Sequence, residues 1–196
     1  LCKANRVDKA YKLMLNKMEA RGMVDVVTFN TIIRSLCKVG RSRRAYALLD
    51  EMGQKGVIPD VITFTILIEA SLREGNSSIA KKLLDQMTEM GIIPDRVLYT
   101  VIINHLCQSD SVERAQSIFR DMIAQGLAPD VVCYNALIRG FCRASRVDEA
   151  MHLYEDMKTR GLHPNGVTFG LIIGGLLQEK KISLASAVWD CMMEKG

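Results

Sequence analysis

Proline and tryptophan are scarce: the 196 residues hold four Pro and one Trp. No run of 18 uncharged apolar residues exists, so no segment is predicted to span a membrane. Neither sign of charge dominates. Lys and Arg number 26 against 22 Asp and Glu, and a net charge of +4 permits an anionic partner without demanding one. The six cysteines include no C-x-x-C pair, and there is no phosphate-cradling Gly-rich loop and no nucleophile elbow. His105, His152 and His163 lack acidic or cysteine partners at ligand or triad spacing, so no metal site, no cofactor and no catalytic centre is expected. What is present, 48% apolar and 24% charged residues, is the balance of a folded chain and excludes disordered or collagen-like classes.

The chain opens on Leu1-Cys2-Lys3, with none of the basic start, apolar stretch and small-residue cleavage site of a secretory leader. Residue 1 falls inside a repeat, which predicts a piece of a longer protein.

The rarest residues reveal that repeat. Pro59, Pro94, Pro129 and Pro164 are the only prolines, and each stands 35 residues after the last. Counting units from the second residue after each Pro gives 1–25 (partial), 26–60, 61–95, 96–130, 131–165 and 166–196 (incomplete). Each full unit carries two apolar stripes at the i, i+3, i+4, i+7 spacing of an amphipathic helix. The first, helix A, is Phe29, Ile32, Ile33 and Leu36 and its counterparts, down to Phe169, Ile172, Ile173 and Leu176. The second, helix B, is Ala45, Leu48, Leu49 and Met52, down to Ala185, Val188, Trp189 and Met192.

Gly40-Arg41-Ser42 and Gly75-Asn76-Ser77 separate A from B, while Gly56, Gly91, Gly126 and Gly161 sit where a helix C-terminus favours a left-handed residue. The prolines then bar continuation. Short connections make neighbouring helices antiparallel, and one hairpin cannot bury two stripes, so hairpins must stack. The predicted fold is all-α, an α-solenoid of antiparallel helix-turn-helix hairpins with a right-handed superhelix. The cysteines Cys2, Cys37, Cys107 and Cys142 share one repeat position and are predicted to be small packing residues.

The unit Val-Val-Thr-Phe-Asn-Thr-Ile-Ile-Arg-Ser-Leu-Cys-Lys-Val-Gly-Arg (26–41), continued by Ala45 through Met52, Gly56 and Pro59-Asp60, resembles the pentatricopeptide repeat. The uniform 35-residue length resembles the P class, whose plant members bind single-stranded RNA in mitochondria or chloroplasts. The resemblance covers nearly the whole chain; residues 1–25 depart from it, because Gly22-Met23-Val24-Asp25 lacks the proline. The tetratricopeptide repeat, a peptide-binding hairpin, is the competing pattern, but its Trp-Leu-Gly signature is missing from every unit.

The resemblance implies that two positions per unit read one unstacked base. The fifth residues are Asn30, Thr65, Thr100, Asn135 and Gly170. The last residues are Asp60, Asp95, Asp130 and Asn165, each lying before the next A helix. An Asp carboxylate accepts the imino N–H of guanine or uracil, whereas adenine and cytosine offer a bare ring nitrogen that prefers a donor such as Asn. The family implies Thr for purines and Asn for pyrimidines. Asn30 with Asp60 then reads U, Thr65 with Asp95 reads G, Thr100 with Asp130 reads G, and Asn135 with Asn165 reads C with U tolerated. The implied core is 5'-UGGC-3'.

From spacing alone, the Asp residues are equally good N-caps and the fifth residues equally good solvated surface positions. Val27, Ile62, Val97, Val132 and Val167, the second residues, are implied to sandwich the bases, or else fill gaps between hairpins. Lys3, Lys38, Arg73 and Arg143, near the ends of A helices, are implied phosphate contacts, although the helix dipole also favours cations there.

The expected activity is sequence-specific, non-catalytic binding of single-stranded RNA in organellar RNA processing, stability or translation. The resemblance places it in the mitochondrion, with the chloroplast as alternative. The competing expectation is a protein-interaction scaffold, self-associating through exposed terminal repeats. No membrane and no small-molecule substrate is expected as partner.

Overall fold

The computed structural model describes residues 25–195, all of whose regular structure is helical. Ten helices follow one another: α1 (Val26–Lys38), α2 (Ser42–Gln54), α3 (Val61–Arg73), α4 (Ser77–Glu89), α5 (Arg96–Gln108), α6 (Val112–Ala124), α7 (Val131–Arg143), α8 (Val147–Thr159), α9 (Gly166–Gln178) and α10 (Ile182–Lys195). Odd-numbered helices carry the A stripe and even-numbered helices the B stripe. They form two compact units divided between Pro94 and Asp95.

Every described A helix is opened by an acidic or amide residue, which follows a proline in all but α1. Asp25, Asp60, Asp95, Asp130 and Asn165 are extended, and each side chain accepts a hydrogen bond from the backbone N–H three residues on. That bond satisfies one of the donors a helix start leaves unpaired. The B helices close with glycine: Val57 N–H donates to Met52 O at 2.9 Å and Gly56 N–H to Gly53 O at 3.1 Å, with Gly56 at φ 69°. This is a Schellman closure, and Gly91, Gly126 and Gly161 share its left-handed conformation.

In the first unit α1 packs on α2 and on α3, α3 packs on α4, and α2 reaches α3. Phe29, Ile33, Leu48, Met52, Phe64, Leu67 and Ile68 are fully buried there. In the second unit A helices contact A helices (α5 with α7, α7 with α9), and each B helix contacts its own A helix. In addition α6 leans on α7 and α8 on α9. Its core is one continuous cluster from Tyr99 to Val188. Aromatic edges mark the steps between hairpins: Phe119 meets Tyr134 at 5.2 Å between centroids, and Tyr154 meets Phe169 at 6.1 Å.

The stripe residues read from the sequence are buried almost throughout, with Trp189 the clear departure at 51% exposure. Its counterparts Phe119 and Tyr154 are covered by the A helix that follows them, and no described helix follows α10. The cysteines Cys37, Cys107, Cys133 and Cys142 are buried and unpaired, and burial pushes their thiols up to about 11 or, for Cys133, about 12. They are protonated packing groups. Cys2 lies outside the described residues.

Candidate nucleic-acid interface

The cap bond uses only one edge of each last residue. On Asp60, Oδ1 accepts the Thr63 N–H at 2.8 Å and the Asn30 Nδ2–H at 3.0 Å, while Oδ2 meets no protein donor among the described residues. Partial burial pushes the Asp60 carboxyl up, but the bonds from Thr63 and Asn30 outweigh it and hold the group below the ordinary carboxylate value. Asp60 therefore offers an ionised, unused acceptor.

Asn165 occupies the corresponding place in the second unit with the opposite chemistry. Its Oδ1 accepts from Thr168 N at 3.1 Å and from Asn135 Nδ2 at 3.4 Å. Because a helix-opening N–H requires an acceptor, the oxygen must face the helix and the amide nitrogen must face away, leaving N–H donors unused. The structure thus makes capping and presentation of a free polar edge simultaneous properties of one side chain. At Asp130 the cap oxygen receives Cys133 N at 2.9 Å, and Oδ2 lies 3.5 Å from Arg96 Nε in an exposed pair. Asp95 caps Leu98 at 2.9 Å.

The fifth residues differ from the solvated alternative. Asn30, Thr65 and Asn135 are only 7 to 8% exposed, and Thr100 is half-buried. For Asn30 and Asn135 the reason is lateral packing of A helices within each unit, which sets the fifth residue of one against the start of the next. The two asparagines bond to Asp60 and Asn165, whereas the Thr65 and Thr100 hydroxyls donate to their own helix, to Val61 O at 2.7 Å and Arg96 O at 2.9 Å. Gly170 is exposed and offers no side chain.

The second residues are exposed apolar positions in every described A helix: Val27 65%, Ile62 47%, Val97 56%, Val132 64% and Val167 52%. Packing between hairpins does not account for side chains this bare. In the second unit Val97, Val132 and Val167 line a groove of about 620 Å³ together with Thr100, Asp130, Asn135 and Asn165. Three apolar side chains alternating with polar pairs give a surface on which flat, polar-edged groups can stack and hydrogen-bond.

The same groove holds Asn104 and Arg139, which the sequence reading did not single out. Each lies four residues after a fifth residue, hence one turn further along the same helix face, and that spacing was the available signal. Arg139 is exposed and makes no ion pair among the described residues. The cations that were singled out are engaged differently. Arg73 donates to Cys37 O at 2.9 Å, closing the end of α1, and Arg143 donates to Gln108 O at 3.5 Å and pairs with Asp110 at 3.4 Å. Lys38 is exposed at the end of α1, and Lys3 lies outside the described residues.

Among the described residues no cluster of His, Cys, Asp and Glu is arranged to hold a metal ion, and no helix is long and apolar enough to cross a membrane.

Comparison with known proteins agrees with this arrangement. The PPR repeat family model matches residues 24–73, 94–143 and 129–178, and the PPR repeat model matches 62–92 and 167–196. No curated protein sequence matches significantly. Among solved structures, the pentatricopeptide repeat protein PPR10 from maize is 28% identical, with a TM-score of 0.72 over 91% of this chain and 26% of that one. The same protein in complex with an 18-nucleotide psaJ RNA element aligns with a TM-score of 0.74 over 90% of this chain. The PPR domain of Arabidopsis thaliana protein-only RNase P 1, solved with tRNA, shares the fold at 18% identity and a TM-score of 0.70, over 86% of this chain and 89% of that one. The chain spans about a quarter of the PPR10 chains it matches. Repeat models tiling the sequence, ten helices in hairpins and solenoid neighbours agree: the chain is an all-α helical-repeat solenoid and belongs to the pentatricopeptide repeat family.

Proposed function

We propose that this chain binds single-stranded RNA, one base per repeat, through the pairs Asn30–Asp60, Thr65–Asp95, Thr100–Asp130 and Asn135–Asn165, with 5'-UGGC-3' as its core and U tolerated at the last base. The observation that carries this reading is the unused polar edge. Asp60 keeps a free carboxylate oxygen suited to the imino N–H of uracil, and Asn165 keeps free amide donors suited to the ring nitrogen of cytosine.

The exposed Val27, Ile62, Val97, Val132 and Val167 sandwich the bases, and Arg139 and Lys38 meet the phosphates, with Arg73 and Arg143 as further contacts. Binding is non-catalytic: the array occupies a site on a transcript and thereby protects, remodels or marks it. The PPR10–RNA complex supports this reading by likeness of fold and sequence. The setting is organellar RNA processing, stability or translation, in the mitochondrion with the chloroplast as alternative.

Fluorescence anisotropy of labelled strands carrying UGGC, UAGC or a scrambled core at two salt concentrations tests the proposal. The expected result is salt-sensitive binding that favours UGGC. Equal binding of all three strands overturns the base assignment, and absence of binding by a folded sample overturns RNA recognition.

A second reading has its own observation. Ile182, Leu184, Trp189 and Met193 expose apolar surface on α10, which favours self-association of the chain. Sedimentation that stays monomeric as concentration rises contradicts it.

A further inference from the structure

The two asparagines in the reading pairs share a partner that belongs to neither reading position. Thr63 and Thr168, each the third residue of the next A helix, are fully buried, and their hydroxyls lie 2.6 Å from Asn30 Oδ1 and 2.8 Å from Asn135 Oδ1. A hydroxyl has one proton. The alternative acceptors, Asp60 Oδ1 at 2.9 Å and Asn165 Oδ1 at 3.1 Å, are farther in both sites, so the proton goes to the asparagine oxygen. Each hydroxyl also accepts the N–H of the capping residue, from Asp60 N and from Asn165 N, both at 3.2 Å. Its one proton and one of its two lone pairs are then committed.

This closes a ring of three side chains. The threonine holds the asparagine oxygen, the asparagine Nδ2 donates to the last residue, and the last residue caps the helix that supplies the threonine. Turning the asparagine amide over would set its oxygen against the cap oxygen, acceptor to acceptor. Each threonine therefore determines which edge of the asparagine faces outward.

Where the fifth residue is threonine, the partner changes. Thr100 satisfies its hydroxyl on Arg96 O at 2.9 Å, and the residue beside it at the third position of α7 is Cys133, completely buried. In sequence, Thr65 is followed at the same spacing by Leu98. The four pairs thus read Asn with Thr, Thr with Leu, Thr with Cys, and Asn with Thr: a hydroxyl is supplied where, and only where, an amide needs orienting.

We infer that Thr63 and Thr168 are positioning residues for base selection, third members of the reading sites that fix the amide of Asn30 and Asn135 so that a pyrimidine is accepted. The inference rests on the RNA-binding reading above and predicts that the third residue of each A helix covaries with the preceding fifth residue because of this bond.

The test uses the full chain with Thr63→Val and Thr168→Val, which keep shape and remove the donor, and Thr63→Ser, which restores it. In the RNA-free protein, NMR is expected to show slowed exchange of the Asn30 and Asn135 side-chain amide protons, lost at the altered site in each valine variant and retained with serine. Anisotropy is expected to show the preference for pyrimidine over purine at that one base falling about tenfold, with the other bases read as before.

A complementary pair removes dependence on the stability of the valine variants: Thr100→Asn alone should turn its site only weakly toward pyrimidine, and Thr100→Asn with Cys133→Thr should do so strongly. Unchanged amide exchange in the valine variants, or unchanged base preference, overturns the inference while leaving RNA reading intact. Loss of affinity for all bases alike makes the threonines structural and also overturns it. A wild-type chain without base preference overturns the reading itself and, with it, this role.

Discussion

Asn30 with Asp60 in the first unit and Asn135 with Asn165 in the second are nearly the same object built twice. Each asparagine is 7% exposed, each donates to a helix-capping residue, and each takes a hydroxyl proton from a buried threonine. The sites differ by one functional group. A carboxylate oxygen points outward in the first and an amide N–H in the second, while backbone, capping and neighbours are conserved between them. The fold is thus indifferent to a substitution that inverts hydrogen-bond polarity toward solvent, which is the property a modular reader requires.

The units differ more in how they are packed and turned. In the second unit two A helices approach so closely that a Cβ on Gly140 would stand 2.6 Å from Cys107 Sγ and 2.8 Å from its Cβ, and one on Gly175 would stand 2.6 Å from Cys142 Sγ. The residue at that position in the first unit is Ala70, which is buried with its methyl group accommodated. The A-to-B turns contrast as well. Gly40 and Gly75 take the left-handed conformation in the first unit, whereas Asp110, Ser145 and Lys180 take it in the second, at φ 54°, 53° and 59°.

Breaking the packing contrast has the largest expected effect. Gly140→Ala should lower the stability of the chain by about 1–3 kcal/mol, since the neighbouring thiol and its Cβ must both shift. Thermal or urea unfolding measures this, and Cys107→Ala in the same chain should recover only part of the loss, because it removes the Sγ contact and leaves the Cβ contact.

Exchanging the outward groups comes next. Asp60→Asn should move preference at its base from U toward C, with a discrimination change of about 1–2 kcal/mol measured by anisotropy. The same substitution sharpens the contrast in pH. Because hydrogen bonds lower the Asp60 pKa on folding, its stabilisation is complete above the unfolded carboxylate value and is lost as pH falls through the depressed folded value. Melting temperatures from about pH 7 to about pH 3 should lose part of their acid slope in Asp60→Asn and none in Asn165→Gln, which has no proton to gain.

Smaller effects belong to the turns. Ser145→Gly and Lys180→Gly should each raise stability by about 0.5–1 kcal/mol, because glycine carries no left-handed penalty, and Gly40→Ala should lower it by a similar amount. Arg139→Ala should weaken binding of all sequences alike by a few-fold, lowering the slope of log affinity against log salt by about 0.7, the value of one phosphate contact on a single strand.

Much of the fold was legible because two signals coincide in each repeat. A 3.6-residue apolar period defines the helices, and a capping Asp or Asn, preceded by proline in all but α1, defines where each A helix begins. The last residues were legible as caps, and the structure shows that a capping side chain can still present an unused polar edge, as the proposed reading requires. Burial of Asn30 and Asn135 was not legible, because it arises from lateral contact with residues 30 positions away in sequence rather than from the period of either helix. Thr63 and Thr168 were hidden for the same reason. Each looks like an ordinary capping-box residue until the neighbouring helix is placed beside it. Arg73 and Arg143 were read as phosphate contacts or as cations favoured by the helix dipole, and the structure adds that their guanidinium groups donate to carbonyls at the end of the preceding A helix.

The measurement closest to the central claim is base preference at the last position of the core, compared between the wild-type chain and Asn165→Asp on strands ending in UGGC and UGGU. An outward amide should favour C, and an outward carboxylate should reverse the order to favour U, with the first three bases discriminated as before. The same order of preference in both proteins would contradict the account, because the group facing the base would then not be the group that reads it.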